Sequence, residues 1–341
     1  MPFNDIAGNG RVRTILKLAL SRGRVPHALV FGGPRGVGKR KTARVLAQAL
    51  NCAVRSDDAC GECPSCRAVV QVDEKAKRIG AHPDVIEYEI PEDKTTVSID
   101  QMRELKSLAY LKPMVGRKRV FLVDDADSMS DEAANSLLKV LEEPPLFTHI
   151  ILISDNPALL LPTIKSRCRS LPFLPVSDED VEKVLRGRGV EPEKARLTAL
   201  VVRGNLERAL DLDWDAIEAE RRDAWMIFRA LTTGEDAAAL LRRFAFGRRK
   251  DVREEMERAL ELMTAFGRDT ALLAEGGDAR LLLNPDYENE IRTCAGPVSP
   301  AAALRIVGLL HDAAASIDRN VHLGLLAAGL TARWRQAAVS M

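Results

Sequence analysis

The sequence predicts an α/β domain with a mainly parallel sheet, followed by a small helical domain and a larger helical domain. Short apolar runs alternate with helical segments up to about residue 175, which is typical of a parallel sheet covered on both faces. A glycine-rich turn joins the first strand to a helix. Beyond residue 176, Ala, Leu, Arg and Glu recur at a 3.6-residue spacing that favours helices alone. The expected domains are 1–175, 176–211 and 212–341.

The elements of the first domain follow from these apolar runs and from the signals at their ends. Ser130 is expected to cap a helix, because its hydroxyl can accept from a backbone N–H of the first turn. Pro113 and Pro144 are expected to stop the helices that precede them. The predicted strands are His27–Phe31, Asp84–Glu89, Arg119–Val123 and His149–Ile153, and the predicted helices are Gly38–Leu50, Ile99–Leu111 and Ser130–Leu141.

The remainder of the chain shows only helical periodicity. Three short helices are predicted at Ser177–Arg188, Pro192–Arg203 and Asn205–Asp211. A longer helical block from Trp214 onward is broken at two glycine-containing points, Gly276–Gly277 and Gly296–Pro297. Because aromatic residues make up only 4% of the chain, its three tryptophans are expected to pack in cores rather than stack on bases.

Composition and charge exclude several classes of protein. A formal net charge of +1 argues against a free-standing protein that coats nucleic acid by bulk charge. No apolar run reaches the length of about 18 residues that a membrane span requires, and the first ten residues lack a signal segment. A cytoplasmic location is therefore expected. Thiols stay reduced there, so clustered cysteines favour metal binding over disulfides.

The glycine-rich turn has the sequence of a phosphate-binding loop. Gly33-Pro34-Arg35-Gly36-Val37-Gly38-Lys39 follows a predicted strand and begins a helix. In that context backbone N–H groups and the helix N-terminus surround phosphates, and Lys39 reaches their oxygens. Gly33, Gly36, Gly38 and Lys39 are thus candidate nucleotide-binding residues; the alternative is a plain glycine-rich turn.

Two departures from the phosphate-loop pattern indicate a degraded magnesium site. Arg40 stands where a Ser or Thr hydroxyl would hold Mg²⁺, and a guanidinium has no lone pair to offer a metal. Asp124 ends a predicted strand, where a magnesium-binding carboxylate belongs. Asp125 stands in place of the longer glutamate that would polarise water. Binding of ATP and Mg²⁺ is expected to be weak or absent; alternatively, these aspartates form a solvated acidic turn.

Four cysteines lie within 15 residues in the pattern C-x7-C-x2-C-x2-C. Cys52, Cys60, Cys63 and Cys66 match the ligand set of a closed tetrahedral zinc site. One structural Zn²⁺ per chain would staple an inserted module, 51–67, that is too small to have its own core. The alternative is a redox-active CxxC pair.

A basic stretch precedes the third predicted strand. It comprises Lys106, Lys112, Arg117, Lys118 and Arg119. A solvated turn is the favoured interpretation of this stretch, and a contact with nucleic acid is the alternative.

Several segments occur together in an order that resembles the clamp-loader branch of the AAA+ family. This branch includes the tau/gamma ATPase subunits and the delta' subunit of bacterial DNA polymerase III. The segments are Pro26–Lys39, the cysteine cluster, Val123–Asp127, Ala133–Pro145 and Ser166–Cys168. The resemblance extends from Phe3 to about Leu210, and implies an AAA+ fold with a small helical lid and an all-α collar domain.

The resemblance favours the delta' type over an ATP-hydrolysing tau/gamma-type subunit, which remains the alternative. The altered magnesium site favours it, and so does the lid, where Glu207 stands at the position of the family's sensor arginine. Three C-terminal segments also resemble the delta' collar: Gly267–Leu273, Leu282–Asp286 and Asp318–Leu330. No polymerase or nuclease site is recognisable, and little or no intrinsic ATPase activity is expected.

The resemblance also implies a role for Arg167. In clamp loaders the arginine of the Ser-Arg-Cys motif reaches a neighbouring subunit's ATP, so Arg167 would be an arginine finger in trans. The alternative is a basic surface formed with Lys165 and Arg169. Ser154 stands where the family has a polar sensor. The implied partners are the tau/gamma ATPase subunits, the delta subunit, the sliding clamp and primer-template DNA.

Overall fold

The structure is a computed structural model, and its chain divides into two compact units, Met1–Asp211 and Leu212–Met341. The division into three domains and an inserted module stays a prediction. Residue 56 of the predicted module and residues 318–320 of the collar-like segment lie outside the described residues. The described residues are 2–55, 57–73, 78–90, 96–236, 238–244, 250–317 and 321–338.

Among the described residues, the first unit contains one five-stranded parallel sheet and one short antiparallel pair. The strands are β1 (Ala28–Gly32), β2 (Val72–Asp73), β3 (Arg78–Ile79), β4 (Val85–Tyr88), β5 (Arg119–Val123), β6 (Thr148–Ser154) and β7 (Arg169–Pro172). The sheet has the order β4-β5-β6-β1-β7, and β2 pairs with β3. The predicted α/β fold with a parallel sheet is therefore confirmed.

The central strands β1, β5 and β6 are buried along their whole length. Their near-continuous apolar sequences suit strands covered on both faces, which is why they could be predicted. The edge strand β7 was not predicted. Its sequence, Arg-Ser-Leu-Pro, is mostly exposed and ends in a proline, which a sheet tolerates only at an edge or a strand end.

Helices cover both faces of the sheet. In one core, Leu29 and Phe31 of β1 lie in the same cluster as Leu46. In the other core, Val30 of β1 lies in the same cluster as Leu137. The helices of this unit are α1 (Gly10–Ser21), α2 (Lys39–Asn51), α3 (Pro64–Val70), α4 (Ile99–Ala109), α5 (Asp131–Glu142), α6 (Pro162–Lys165), α7 (Asp178–Gly187), α8 (Pro192–Val202) and α9 (Leu206–Leu210).

The ends of α4 and α5 follow from their caps. The Ser98 hydroxyl accepts from the Gln101 N–H, and the Gln101 side chain accepts from the Ser98 N–H, which forms a capping box. Ser130 caps α5 as predicted, since its hydroxyl accepts from the N–H of Ala133. Helix α4 ends at Ala109, two residues before the predicted end.

The basic stretch before β5 is not simply a solvated turn. Arg119 is buried and donates to the Asp84 carboxylate at 2.9 Å. Asp84 also accepts from the backbone N–H groups of Met114, Val115 and Gly116 at 2.7–2.8 Å. Burial alone would raise the pKa of the Asp84 carboxyl, but these hydrogen bonds outweigh it and hold the pKa below its usual value. Asp84 thus binds both this turn, through backbone hydrogen bonds, and Arg119, through a buried ion pair.

The second unit is helical throughout its described regular elements, apart from short 3-10 turns. Its helices are α10 (Trp214–Thr233), α11 (Ala239–Phe244), α12 (Lys250–Ala274), α13 (Glu288–Ala295), α14 (Pro300–Ile317) and α15 (Leu323–Ala338). Trp225 packs against Phe266, and Trp334 against Phe228, with ring centroids 5.1 and 5.6 Å apart. These two tryptophans therefore pack in the core, as predicted.

A buried arginine stabilises the turn that precedes α13. The Arg221 guanidinium, 2% exposed, donates to both carboxylate oxygens of Asp286 and to the side-chain oxygen of Asn284. It also lies over the Tyr287 ring, 5.3 Å from the centroid. Asp269, fully buried, accepts from the backbone and side-chain amides of Asn284. This network accounts for the structure of the Leu282–Asp286 segment.

No single helix of the described residues is long and apolar enough to cross a membrane. One pair, Pro285–Ala295 with Pro300–Ile317, meets that criterion only when taken together, across a bend of 120°.

Candidate functional site

The carboxyl ends of three neighbouring strands bring the predicted nucleotide-site residues together. The glycine loop follows β1, Asp124 follows β5, and Asp155 follows β6. In open parallel sheets, the crevice at these strand ends is the usual place for a ligand. Lys39 is the first residue of α2, so it lies at the helix N-terminus beside the loop.

The glycines of the loop are required by backbone shape and by close packing. Gly36 and Gly38 have φ angles of +73° and +89°, in the left-handed region that favours glycine. A Cβ at Gly36 would lie 1.7 Å from Oδ1 of Asn205, at the start of α9. The N–H of Glu207 also donates to the Gly36 carbonyl at 3.2 Å. The start of α9 thus packs directly on the glycine loop.

Lys39 is buried and its ammonium group is fully hydrogen-bonded. Nζ donates to the carbonyls of Gly33 and Pro34, both at 2.6 Å, and to Oδ1 of Asp155 at 2.7 Å. Three acceptors match the three N–H donors of a lysine. Asp155 was missed in the sequence because it belongs to none of the recognised motifs. The neighbouring Ser154 is fully buried, and its hydroxyl has no hydrogen-bond partner among the described residues.

Arg40 lies among carboxylates at the position where a metal would be held. Its Nε donates to Glu87, and another guanidinium nitrogen contacts Glu89. Nε also lies 3.4 Å from Oδ2 of Asp124. Glu87, 7% exposed, accepts in addition from Nε of Arg44 at 2.9 Å. The Arg40 guanidinium therefore takes the place of a cation among these acids and offsets part of their charge.

The two aspartates after β5 are perturbed by their surroundings. Burial raises the pKa of the Asp124 carboxyl, and the adjacent Arg40 guanidinium offsets part of that rise. Burial also raises the pKa of Asp125, with a further contribution from the charge of Asp155. Asp125 has a left-handed backbone, φ +47°. These two carboxyl groups are therefore half-buried and not fully solvated, while their role in a nucleotide site stays a prediction.

The four cysteines form a compact cluster. The Sγ atoms of Cys52, Cys60, Cys63 and Cys66 all lie within 4.8 Å of one another, and those of Cys60 and Cys66 are 3.9 Å apart. A tetrahedral zinc with Zn–S bonds of about 2.3 Å places its sulfurs about 3.8 Å apart. The cluster is therefore close enough to bind a metal ion, and its spacing fits zinc.

Backbone hydrogen bonds favour the thiolate form of part of this cluster. The N–H groups of Cys63 and Cys66 donate to Sγ of Cys60 and Cys63. The first of these, together with the N–H of Glu62, lowers the pKa of Cys60 to about 6. Burial raises the pKa of Cys66 to about 12. A bound cation would favour ionisation of that buried thiol as well.

The cysteine module is tied to the rest of the first unit. The Asp58 carboxylate is buried and accepts from the N–H of Phe3 at 3.0 Å, while Nε2 of Gln48 donates to the Cys66 carbonyl at 2.6 Å. Ser65 and His82 share a hydrogen bond of 2.9 Å. Burial lowers the pKa of His82, and its ring links α3 to the start of β4 through Ser65 and the N–H of Asp84.

Arg167 lies at the surface, two residues after α6. Its side chain is 33% exposed and pairs with Glu142 at 2.5 Å. It also donates through Nη1 to the Thr163 carbonyl and to Oγ of Ser166. Arg169 begins β7, pairs in register with Leu29 and is exposed, as is Lys165, so the alternative of a basic surface stays open.

Comparison with known proteins identifies the family. Residues 8–177, about half of the chain, match the family model described as DNA polymerase III, delta subunit. The chain belongs to the DNA polymerase III clamp-loader family. A delta' subunit of Bacillus subtilis is 32% identical over 212 residues, which are 62% of this chain and 61% of that protein.

Other clamp-loader relatives carry the name of the ATPase subunit. A gamma/tau subunit of Mycobacterium tuberculosis is 38% identical over 172 residues, which are 50% of this chain and 28% of that protein. The crystal structure of a DNA polymerase III gamma subunit-related protein from Thermotoga maritima gives a TM-score of 0.45 at 17% identity. It covers 96% of this chain and 99% of that one. The matched part therefore spans between about a quarter and three fifths of the two curated relatives.

Proposed function

We propose that the chain is a delta'-type subunit of the clamp loader, which supports ATP hydrolysis by its neighbours instead of hydrolysing ATP itself. It would assemble in the cytoplasm with the tau/gamma ATPase subunits and the delta subunit. The complex would load the sliding clamp onto primer-template DNA during replication. The alternative is an ATP-hydrolysing tau/gamma-type subunit of the same complex.

The observation that carries this proposal is the placement of Arg40. A hydrolytic site needs Mg²⁺ beside the phosphates, whereas here the Arg40 guanidinium pairs with Glu87, Glu89 and Asp124 and offsets part of their charge. A second cation at that point would be repelled by Arg40 and would have to displace it. The names of the relatives do not decide between the two subunit types, because both occur among them.

Arg167 supplies the catalytic contribution of this subunit. A guanidinium placed against a neighbour's γ-phosphate stabilises the charge that develops as the phosphoryl group transfers. Arg167 lies at the surface, where a neighbouring subunit could approach it. This residue would thus act on ATP that another subunit binds.

The four cysteines would hold one structural zinc. All four positions are thiolate ligands, so the site is closed and leaves no open position for substrate. When bound, the zinc would offset half of the charge of the four thiolates and would link the start of α3 to the end of α2.

ATP hydrolysis by the purified chain and by the assembled complex tests the proposal. The chain alone should show near-zero turnover, and Arg40→Thr alone should not restore it, because Asp125 and Glu207 also depart from the ATPase pattern. Arg167→Ala should leave folding and assembly intact but reduce the DNA-stimulated hydrolysis of the complex by roughly 10³-fold or more at the affected site. Turnover by the chain alone at the rate of an AAA+ ATPase would contradict the proposal and favour the alternative.

Metal analysis tests the zinc assignment separately. The purified, reduced chain should contain about one zinc per molecule, and Cys63→Ser should lower that content. A zinc content near zero in protein that was kept reduced throughout would rule out the assignment.

A further inference from the structure

The guanidinium of Arg167 is held by three acceptors from its own chain. Nε donates to Oε1 of Glu142 at 2.9 Å, and Nη2 lies 2.5 Å from the same oxygen as an ion pair. Nη1 donates to the Thr163 carbonyl at 3.0 Å and to Oγ of Ser166 at 3.2 Å. Glu142 therefore occupies the Nε–Nη2 edge of the guanidinium. Residues of α6 and its end occupy Nη1.

This arrangement differs from an ordinary surface ion pair. Glu142 is the last residue of α5, while Thr163 and Ser166 belong to α6 and its end, so two elements converge on one side chain. By contrast, the pair between Arg222 and Glu218 is a single contact of 3.4 Å within one helix. Several simultaneous contacts restrict the rotamers of Arg167, whereas a single exposed pair does not.

We infer that Glu142 is a positioning residue for the arginine finger. It holds the edge of the Arg167 guanidinium that carries Nε and Nη2, so that a remaining Nη2 hydrogen is presented to a phosphate of the neighbouring subunit's ATP. The inference rests on the proposed role of Arg167 in trans. Preorganised donors stabilise a transition state without having to reorient as charge develops, which is why the fixed orientation matters. Misplacement of a catalytic group by about 1 Å can cost about 10²-fold in rate.

The geometry also predicts which substitutions are tolerated. Because the contacts of Nε and Nη2 both end on Oε1, the amide oxygen of a glutamine can take the same place, with a weaker hydrogen bond that lacks the charge of the carboxylate. Glu142→Gln should therefore keep the finger in place, whereas Glu142→Ala removes the acceptor. Glu142 is 48% exposed, so neither change should disturb the core.

The test is ATP hydrolysis by the whole clamp-loader complex, reconstituted with its tau/gamma and delta subunits. Glu142→Ala should lower kcat at the affected ATP site about 10-fold or more with little change in KM, because the finger acts on the transition state. Glu142→Gln should stay within about 3-fold of the unmodified complex. The adjacent, exposed Glu143 provides the matched control, and Glu143→Ala should have no effect.

The possible results distinguish a failure of the positioning role of Glu142 from a failure of the proposed role of Arg167. If Arg167→Ala abolishes stimulated hydrolysis but Glu142→Ala behaves like Glu143→Ala, the positioning role is wrong and the finger stands. A faster rate for Glu142→Ala would also overturn the inference, because Glu142 would then restrain the finger. If Arg167→Ala leaves hydrolysis unchanged, Arg167 is not an arginine finger, and the positioning role of Glu142 is wrong as well.

Discussion

Replacement of Arg40 by alanine is the sharpest test of the idea that a guanidinium stands in for magnesium. The substitution leaves Glu87, Glu89 and Asp124 close together without their shared cation. Glu87 keeps Arg44 as a partner, but the Asp124 carboxylate loses a cation 3.4 Å away. The carboxylates should then repel one another and the first unit should lose stability.

The loss of stability expected for Arg40→Ala lies between two limits. A Coulomb energy at 3.4 Å is about 5 kcal/mol with an effective dielectric constant of about 20, before desolvation is counted. Exposed pairs contribute about 0.2–1 kcal/mol, and breaking a buried pair costs about 3–5 kcal/mol. Since Arg40 is 33% exposed, we expect a loss of about 2 kcal/mol. Mg²⁺ at ten times its dissociation constant should return about 1.4 kcal/mol.

Hydrogen exchange of peptides from α2 and β5 is the suitable assay. The three tryptophans of the sequence all lie beyond residue 211, so intrinsic fluorescence would report the other unit. The matched control is Arg44→Ala, which also removes a partner of Glu87 but leaves Arg40 beside Asp124. Mg²⁺ should protect the Arg40→Ala protein alone. The reasoning is refuted if Arg40→Ala exchanges no faster than the unmodified protein without Mg²⁺.

Three further predictions concern the stability of single contacts. Asp84→Asn should cost about 3–5 kcal/mol at neutral pH, measured by urea unfolding, because it removes a buried charge pair. The folded-state pKa of Asp84 is depressed, so its contribution is present above the unfolded pKa of about 3.9 and is lost as pH falls through the folded value; the variant should therefore lose less stability on acidification. Gly36→Ala should destabilise the first unit more than Gly38→Ala in the hydrogen-exchange assay. Both introduce a Cβ at positive φ, but only the former collides with Asn205, and equal effects would contradict the packing described. Arg221→Leu should lower the free energy of unfolding of the second unit by about 3 kcal/mol, monitored by tryptophan fluorescence, and an unchanged midpoint would contradict its role in the buried network.

Local sequence was sufficient to predict those features of this protein that contiguous residues encode. The apolar runs of β1, β5 and β6 could be recognised because strands buried on both faces need apolar side chains at nearly every position. The phosphate loop and the cysteine cluster are equally local. Each lies within 15 residues or fewer, and its spacing alone restricts the geometry. The alteration at Arg40 was visible for the same reason.

Tertiary structure alone decided which distant residues meet. Arg40 and Glu87 are 47 residues apart in sequence, and Lys39 and Asp155 are 116 apart. Their contacts depend on the order β4-β5-β6-β1-β7, which places the carboxyl ends of these strands along one edge. Local sequence periodicity does not encode that strand order. Hydrophobic burial is non-directional, so it does not decide which strands become neighbours; strand pairing decides this. The burial of Arg119 against Asp84 depends on the same sheet order, since these residues begin or precede adjacent strands.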